Sequence, residues 1–373
     1  MPAGSLNWLP VLPEMPPSPR AECLVVGYGL AGACLTEALL NEGWKVTVID
    51  DNKAFSTRVA AGIVNPLVFR YLTMSWKAEE LLPFARNYYQ SLGEKLSVNL
   101  LHEALVLRVL AGNEAALWDE KRKLPQLSPW MDPADCPNGY LEGIDAPQGF
   151  AAVTNSFWVD TELFLLSMYA RHKPECNWLA GEFDAKNLKS ESGKLVYQGI
   201  KSDRVIFCEG HRAVSNPYFS YVPFRPVKGE LLTLHIPGLG EDFIYNKDVF
   251  ILPIGNQLFK LGSTYVWDDL SPLPTEHARN QLLSKLEVFM KLPYKVVDHV
   301  TGVRPAIADR RPVLGLHPGD SRMAIFNGLG AKGVMLAPFF ASQLATFLSG
   351  KGIISPEVDV VRFAKQSLTP QIS

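Results

Sequence analysis

The chain has 373 residues, a length that corresponds to about two domains. Its composition, 47% hydrophobic and 20% charged, is typical of a globular protein, and its formal net charge of −2 gives no general attraction to nucleic acid or anionic membranes. Its five cysteines include no CxxC pair, which disfavours a disulfide framework or a metal site and favours a reducing, cytoplasmic compartment.

The first 20 residues, "MPAGSLNWLPVLPEMPPSPR", are rich in proline. They lack both a positively charged start and a continuous apolar core, so the sequence does not predict a signal peptide here. Because proline restricts the backbone and cannot donate a hydrogen bond, we expect residues 1–20 to form an extended arm.

The next segment predicts a strand, a tight turn, a helix and a second strand. "CLVV" is a short apolar strand, residues 30–42 have helical patterning that Gly43 ends, and "KVTVID" is the second strand. The turn reads "GYGLAG", in which Gly27 permits the bend, Gly29 lets the backbone approach a pyrophosphate and Gly32 lets the helix pack closely.

Asp50 ends the second strand 18 positions after Gly32, where a carboxylate can accept hydrogen bonds from a ribose. A negative charge at this place disfavours a 2′-phosphate and therefore NADP. Strand, turn, helix and acid together predict a dinucleotide site, and they leave NAD and FAD both open.

The rest of the chain predicts a strand-rich middle enclosed by α/β units. The predicted elements are, in chain order, helices over 76–98 and 111–123, a loop rich in proline and glycine over 124–149, a helix in "VDTELFLLSMYARH" capped near Asp160 or Thr161, strands in "KLVYQGI", "RVIFCEG", "KGELLTLHI", "VFILPI" and "QLFKLGSTY", a helix over 275–292, strands in "RPVLG" and "MAIFNG", and a last helix. That last helix, "GVMLAPFFASQLATFLSG", contains polar residues and a proline, so we expect it in a core rather than in a membrane.

A second glycine-rich turn, "NGLGAKGVMLAP" at 327–338, stands at the start of this last helix. A simple NAD enzyme has no evident use for it, whereas FAD is longer and carries a ring that must be held at its far end. N–H groups at a helix N-terminus can face the flavin edge where negative charge collects on reduction, and Lys332 would add to that field. The second turn therefore favours FAD.

At this point the chain resembles the D-amino acid oxidase (DAO) family of FAD-dependent oxidoreductases, which includes glycine oxidase and sarcosine oxidase. The resemblance rests on the first turn and on "STRVAAGIVNP", "PVKGELLTL" and "GVRPAIADRRPVLG" with the second turn. It implies an α/β fold: a Rossmann-like FAD-binding domain of the glutathione-reductase type with an inserted β-sheet-plus-helix substrate domain. The implied boundaries are 21–75, 145–226 and 298–373 for the FAD-binding domain, and 76–144 and 227–297 for the substrate domain.

The resemblance also implies which positions bind FAD. They are Gly27, Gly29, Leu30, Ala31, Gly32, Asp50, Asp51, Ser56, Thr57, Arg58, Ala60, Ala61, Gly62, Gly328, Leu329, Gly330, Ala331, Lys332 and Gly333. Without the resemblance, the segment from Ser56 to Gly62 would read as an ordinary loop. The covalent flavin link of sarcosine oxidases uses a cysteine in the C-terminal segment, and none follows Cys208 here, so non-covalent FAD is expected.

Three cations are implied as catalytic or substrate-binding residues. Arg304 falls where amino-acid oxidases bind the substrate carboxylate, and the alternative is a structural pair with Asp309. Lys332 matches a carboxylate-binding lysine, and Lys260 matches a lysine that assists reaction with oxygen, although a lysine in an alternating strand is usually solvated.

The substrate-binding pattern of the family differs at one place. Where amino-acid oxidases carry a carboxylate-binding tyrosine, this chain has Phe250, and Tyr245 lies nearby but off register. Both are candidate substrate-binding residues, and the difference disfavours a plain α-amino acid. His211 in "CEGHRA" is interpreted as structural.

The resemblance thus implies an FAD-dependent oxidoreductase that oxidises a C–N bond of a small amine or amino acid by hydride transfer to flavin, with O₂ as acceptor and no nucleic acid or membrane partner. One alternative is an oxidase acting on a carboxymethylaminomethyl group of the tRNA wobble uridine. Another is an amine or amino-acid dehydrogenase that passes electrons to a quinone or carrier. The oligomeric state is open.

Overall fold

The computed structural model describes residues 21–53, 55–131 and 141–366. The predicted N-terminal arm over 1–20 lies outside them, as does the 132–140 part of the predicted loop. The strands are β1 (Glu22–Val26), β2 (Lys45–Asp50), β3 (Ile63–Val64), β4 (Leu67–Val68), β5 (Thr73–Met74), β6 (Leu101–Glu103), β7 (Leu105–Val109), β8 (Phe150–Val153), β9 (Phe157–Val159), β10 (Asn177–Ala180), β11 (Leu188–Glu191), β12 (Lys194–Tyr197), β13 (Ile200–Ser202), β14 (Arg204–Phe207), β15 (Val227–His235), β16 (Phe243–Asn246), β17 (Phe250–Gly255), β18 (Leu258–Gly262), β19 (Lys295–Arg304), β20 (Val313–His317) and β21 (Asp320–Asn327). The α-helices are α1 (Leu30–Asn41), α2 (Phe55–Val59), α3 (Ala78–Leu96), α4 (Glu114–Lys121), α5 (Thr161–His172), α6 (Glu276–Glu287) and α7 (Gly333–Leu348).

A six-stranded sheet in the order β10-β2-β1-β14-β21-β20 combines the early strands β1 and β2 with the much later β20 and β21. β10, β2, β1, β14 and β21 run parallel, and β20 closes one edge antiparallel to β21. Parallel strands are covered on both faces, which explains why β1 and β14 are continuous apolar runs. Because the carboxyl ends of parallel strands lie at one edge, this order places the first glycine turn beside Asp50.

Helices α1 and α7 pack against each other on one face of this sheet, and α3 packs on α7. The apolar character of α7 follows from this position, since Leu336, Phe340 and Leu344 are buried in the same core as α1 and the sheet. The structure therefore agrees with the expected core helix. Within the ranges that the structure describes, no helix is long and apolar enough to span a bilayer.

A second, seven-stranded sheet has the order β19-β15-β18-β17-β16-β7-β8. Its neighbours are antiparallel except for β16 and β7, and α6 packs on β15 over a core that includes Phe259, Leu282 and Phe289. The long strand β15, anticipated from "KGELLTLHI", pairs with β19 on one side and β18 on the other. The other face of this sheet looks toward the glycine turns.

Several elements differ from expectation. "KLVYQGI" is not one strand but a hairpin of β12 and β13, because Gln198 and Gly199 turn the chain with positive φ angles of 48° and 83°. The short or partly polar strands β7, β8, β10, β16 and β19 were not anticipated. The predicted domain division stays a proposal; it gives residues 76–144 to the substrate domain, yet α3 packs into the core of the first sheet.

Candidate active site

A cavity of about 1280 Å³ lies between the carboxyl ends of β1 and β2 and the open face of the seven-stranded sheet. Most of the expected site residues line it: Gly27, Gly29, Leu30, Ala31, Asp50, Asp51, Ser56, Thr57, Ala60, Ala61, Gly62, Phe250, Arg304, Leu329, Gly330, Ala331 and Gly333. Six do not, namely Gly32, Arg58, Tyr245, Lys260, Gly328 and Lys332. Residues 300 positions apart in sequence thus meet at one cavity.

The first glycine turn is braced by Asp50. Its carboxylate accepts hydrogen bonds from the backbone N–H of Tyr28 and of Asn52, each at 2.6 Å. Burial raises the pKa of Asp50, and these hydrogen bonds oppose that shift. Gly27 adopts φ +94° against the carbonyl of Cys208, and a side chain at Gly32 would overlap the carbonyl of Gly27. The turn is therefore closed tightly on the α1 side and open on the cavity side.

The segment after β2 crosses the cavity wall as the short helix α2. Thr57 Oγ1 accepts a hydrogen bond from the N–H of Leu30 at 3.1 Å, and Ser56 Oγ donates to the carbonyl of Val303 at 2.6 Å. Arg58 points elsewhere, because its guanidinium donates to Asn52 Oδ1 at 2.6 Å. A side chain at Gly62 would overlap the carbonyl of Val159, so only glycine fits where the segment leaves the wall.

The Arg304 side chain enters the cavity from the end of β19. Its guanidinium donates to Ser263 Oγ at 2.6 Å and to the carbonyl of Thr264 at 3.2 Å, and it lies over the Tyr265 ring at 4.3 Å. Gly229 in β15 leaves the space that it fills, since a side chain there would overlap the guanidinium.

Neutral groups therefore surround this cation. Asp309, the alternative partner, instead accepts from Arg362 at 3.0 Å, so a structural Arg304–Asp309 pair is absent. Across residues 21–53, 55–131 and 141–366, no acidic side chain forms an ion pair with Arg304. Burial lowers the pKa of Arg304 from its usual value, as expected for a cation without a counter-ion. The arrangement suits the binding of an anion from the cavity.

Lys260 faces the segment that follows α2 rather than open solvent. It lies in β18 between Thr233 and Leu252, and its Nζ donates to the carbonyl of Ala60 at 3.3 Å. Ala60 itself lines the cavity. Burial lowers the pKa of Lys260, while Asp160 and Glu162 oppose the shift at longer range. The ammonium group of Lys260 therefore lies outside the cavity, and the Ala60 carbonyl that it contacts belongs to the cavity wall.

The second glycine turn lies at the N-terminus of α7. Gly328 and Gly330 both adopt positive φ angles, of 76° and 55°, and the N-terminus of α7 has no side-chain cap. Lys332 turns away from the cavity, and its Nζ donates to Ser75 Oγ at 2.7 Å. Lys332 thus ties this turn to the segment before α3.

Strand alternation decides which of the two aromatic candidates reaches the cavity. In β16, Ile244 and Asn246 line the cavity, so Tyr245 between them points to the opposite face. Its hydroxyl donates to the carbonyl of Gly240 at 3.3 Å within the core beneath the sheet. The structure therefore does not place Tyr245 at the site, whereas Phe250 lines the cavity.

Comparison with known proteins agrees with this geometry. The family model described as "FAD dependent oxidoreductase" (DAO) matches residues 22–346. The chain belongs to the DAO family. It is an FAD-dependent oxidoreductase, and FAD is the cofactor that the family uses.

The curated relatives are distant. The chain is 22% identical over 369 residues to the tRNA 5-methylaminomethyl-2-thiouridine biosynthesis bifunctional protein MnmC of Hahella chejuensis, covering 89% of this chain and 57% of that protein. A match to Bacillus subtilis glycine oxidase, 26% over 133 residues, covers 35% of this chain and 36% of that one. The chain spans about half the length of the MnmC proteins that it matches.

The fold is shared with solved structures. Iminodiacetate oxidase from Chelativorans sp. BNC1 superposes with a TM-score of 0.74 at 21% identity, over 90% of this chain and 97% of that one. Glycine oxidase from Geobacillus kaustophilus gives a TM-score of 0.73 at 17% identity, over 95% and 100%. These likenesses show the DAO-type fold.

The cavity of this DAO-family chain fits FAD. Its volume exceeds that of an ordinary small-molecule pocket, and the N-termini of α1 and α7 both open into it. The α1 end, braced by Asp50, suits the pyrophosphate and ribose, and the α7 end suits the electron-rich edge of the flavin ring. Ala60, Ala61 and Gly62 also line it, and their small size leaves no large side chain in that stretch of the wall.

Sequence reasoning missed several residues of the site. Asn246 lines the cavity and accepts from Arg108 at 2.8 Å, and Arg212 pairs with Asp51 at 2.8 Å. Glu209, also in the lining, is half-buried, and the desolvation of its carboxyl raises its pKa to about 7. Tyr265, another missed residue of the lining, offered a signal in the aromatic pair of "STYVWD" immediately after Lys260 and Gly262.

Proposed function

We propose that this oxidoreductase oxidises the C–N bond of a small amine or amino acid whose carboxylate binds Arg304, with O₂ as the final acceptor. The observation that carries the proposal is the Arg304 guanidinium, which is half-buried in the cavity wall and bonded to neutral oxygens. A guanidinium fork can hold a carboxylate through two parallel hydrogen bonds. FAD, when bound, supplies the two-electron acceptor.

The residues of this chain bind, orient and polarise. Arg304 holds the carboxylate, which restricts how the amine end of the substrate can lie in the cavity that Ala60 and Ala61 also line. In the overall reaction the amine loses two electrons and two protons, becoming an imine that water hydrolyses to an amine and an oxo acid. O₂ accepts the two electrons and two protons and becomes hydrogen peroxide. Lys260 keeps a positive charge next to the wall where negative charge develops.

A second candidate acts on RNA. The MnmC proteins match about 90% of this chain, and their name assigns them to tRNA 5-methylaminomethyl-2-thiouridine biosynthesis. In that case the substrate would be a secondary amine on tRNA that carries a carboxymethyl group. The substrates of both candidate reactions carry a carboxylate one carbon away from the nitrogen, so Arg304 could bind either of them. The two candidates differ in the size of the substrate.

Anaerobic bleaching of the bound flavin tests the proposal. Holoenzyme is mixed separately with glycine, with N-alkyl glycines and with bulk tRNA that lacks the late modifications. Bleaching by the small compounds, and not by tRNA, supports the first candidate. Arg304→Leu is expected to raise KM for the carboxylate substrate by about tenfold to a hundredfold, the equivalent of a charged hydrogen bond worth about 1.5–3 kcal/mol. Arg279→Leu is the matched control, because Arg279 is half-buried like Arg304 and lies outside the cavity lining. An unchanged KM in Arg304→Leu would contradict the assignment of this residue.

A further inference from the structure

The segment after β18 presents two large aromatic side chains at the mouth of the cavity. Tyr265 is 55% exposed and Trp267 is 65% exposed. Val266 between them pairs with Lys228 through two backbone hydrogen bonds of 2.8 and 3.0 Å, so Tyr265 and Trp267 project on the same side. Their ring centroids are 6.4 Å apart and the planes are tilted by 31°. Two exposed, neighbouring rings form a ready stacking surface.

The segment that carries these rings is firmly anchored. Lys228 is fully buried, and its Nζ donates to Asp269 Oδ2 at 2.7 Å, to Ser271 Oγ at 3.1 Å and to the carbonyl of Leu273 at 2.7 Å. Glu230, also buried, accepts from the N–H of Thr275 at 2.7 Å. Removing a buried charge from such a set is costly, so the loop is held in one place. The rings are therefore pre-organised, which lowers the entropic cost of binding a ligand on them.

The same segment builds the Arg304 site. Ser263 and Thr264 accept hydrogen bonds from the guanidinium, and the Tyr265 ring lies under it at 4.3 Å. Tyr265 also lines the cavity, and Trp267 lies one ring farther out. A molecule whose carboxylate is held by Arg304 thus meets the two rings as it leaves the cavity.

We propose that Tyr265 and Trp267 form a stacking site for a planar aromatic or heteroaromatic ring borne by the amine substrate. The inference rests on the proposed function, because it extends the Arg304 carboxylate site outward. It specifies the substrate class: an amine with a carboxylate next to the nitrogen on one side and a ring on the other. An aryl group and a nucleobase share this chemistry, since each offers a π face.

Turnover by the holoenzyme provides the first test. We measure kcat/KM of wild type, Trp267→Ala and Trp267→Phe for three substrates: N-butylglycine, N-benzylglycine and the nucleoside 5-carboxymethylaminomethyluridine. We expect Trp267→Ala to lower kcat/KM about tenfold for a ring-bearing substrate, equivalent to about 1.4 kcal/mol, and to leave N-butylglycine within about twofold. Trp267→Phe is expected to restore most of the loss. If Trp267→Ala lowers kcat/KM only for the nucleoside, the stacked ring is a nucleobase. If it lowers kcat/KM for N-benzylglycine, the stacked ring is an aryl group.

Binding without turnover provides the second test, so that failure of the proposed function remains distinguishable. The resting holoenzyme is titrated with 4-phenylbutyrate and with hexanoate, and the flavin absorbance is followed. Wild type is expected to bind 4-phenylbutyrate more tightly than hexanoate. In Trp267→Ala, the ratio of the two affinities is expected to fall about tenfold. Leu273→Ala is the control, since Leu273 is 69% exposed in the same loop and binds Lys228 only through its carbonyl.

Two results would overturn the inference. One is an equal preference for 4-phenylbutyrate in wild type and Trp267→Ala, whether or not any amine is turned over. The other is a change of sedimentation coefficient in Trp267→Ala with no change in ligand preference, which would make the aromatic pair an interface between copies of the chain. Absence of turnover with an intact binding preference would contradict the proposed reaction and leave the stacking site standing.

Discussion

At the scale of single residues, the expected role of Lys260 depends on its position in the fold. An alternating strand gives a lysine no preferred role, yet here its ammonium lies 3.3 Å from the carbonyl of Ala60 at the cavity wall. If FAD bound in the cavity is reoxidised by O₂, a cation at that place would stabilise the negative charge that develops. The neutral change Lys260→Met keeps the stem and is expected to slow reoxidation about tenfold or more, equivalent to at least about 1.4 kcal/mol.

Stopped-flow mixing of reduced enzyme with oxygenated buffer measures that step, and anaerobic mixing with substrate measures flavin reduction, which is expected to change much less. The exposed Lys295→Met is the control. Equal reoxidation rates in Lys260→Met and wild type would remove Lys260 from the mechanism. A wild type that barely reacts with oxygen would instead favour the dehydrogenase alternative.

The charge of Lys260 also predicts a pH dependence. Burial lowers the pKa of Lys260 below its usual value, so the ammonium is protonated below that lowered pKa and neutral above it. Reoxidation by oxygen is therefore expected to fall as pH rises through the lowered pKa, at a lower pH than for an exposed lysine. The rate is measured across alkaline buffers in wild type and Lys260→Met, and the variant is expected to lack this step. A matching step in both proteins would assign it to another group.

At the scale of elements, a buried polar network joins the first glycine turn to α1 and α5. The Tyr28 hydroxyl lies 2.6 Å from Nδ1 of His172, whose Nε2 lies 2.9 Å from Glu37, and Arg171 also donates to Glu37 at 2.7 Å. Tyr28 stands inside the glycine turn, so this network positions the turn from behind. Its members lie too far apart in sequence for any local motif to reveal it.

Glu37 is the centre of that network, and Glu37→Ala tests it. Removing one partner of a buried ionic set costs about 3–5 kcal/mol, because the remaining groups stay buried without a partner. Urea unfolding of the holoprotein at pH 7 measures the loss. Glu175→Ala is the control, since Glu175 meets the same Arg171 at the surface and is expected to cost under about 1 kcal/mol. Similar losses in both variants would show that the network adds no special stability.

The Glu37 carboxylate also makes the stability of the folded protein depend on pH in the acidic range. Burial alone would raise the pKa of Glu37, but hydrogen bonds from His172 and Arg171 outweigh it and hold the pKa at about 2. Since the folded pKa is lowered from 4.5, the contribution of Glu37 is fully present above about pH 4.5 and is lost as pH falls toward about 2. Unfolding midpoints measured from pH 6 downward are expected to fall less steeply in Glu37→Ala than in wild type.

At the scale of the whole molecule, the sequence predicted what local spacing encodes. The turn at Gly27, the acid at Asp50 and the second turn before α7 are each specified within a short stretch, and the structure brings them to one cavity. Tyr265 and Asn246 were not predicted, because pairing between distant strands decides which side chains face the cavity. Tyr245 was placed wrongly at the site for the same reason: a shift of one residue in a strand moves a side chain to the opposite face.

The last prediction concerns how the molecule holds its cofactor. FAD bound between the α1 and α7 ends of the cavity is expected to stabilise the folded state, and no covalent link to Cys208 is expected. Cys208 lies beside Gly27 at the α1 end, and burial raises the pKa of its thiol well above the usual range, which makes it a poor nucleophile.

Purified protein is therefore expected to be yellow, and acid or heat to release intact FAD into the supernatant. Added FAD at a hundred times its Kd is expected to stabilise the apoprotein by about 2.7 kcal/mol, measured as a rise in the thermal midpoint. Asp50→Ala is expected to weaken FAD binding by about 1–3 kcal/mol, because the brace of the glycine turn and a ribose acceptor are lost together. Colour that stays with the precipitated protein would indicate a covalent link. A colourless protein stabilised by NAD and not by FAD would contradict the use of the cavity for FAD.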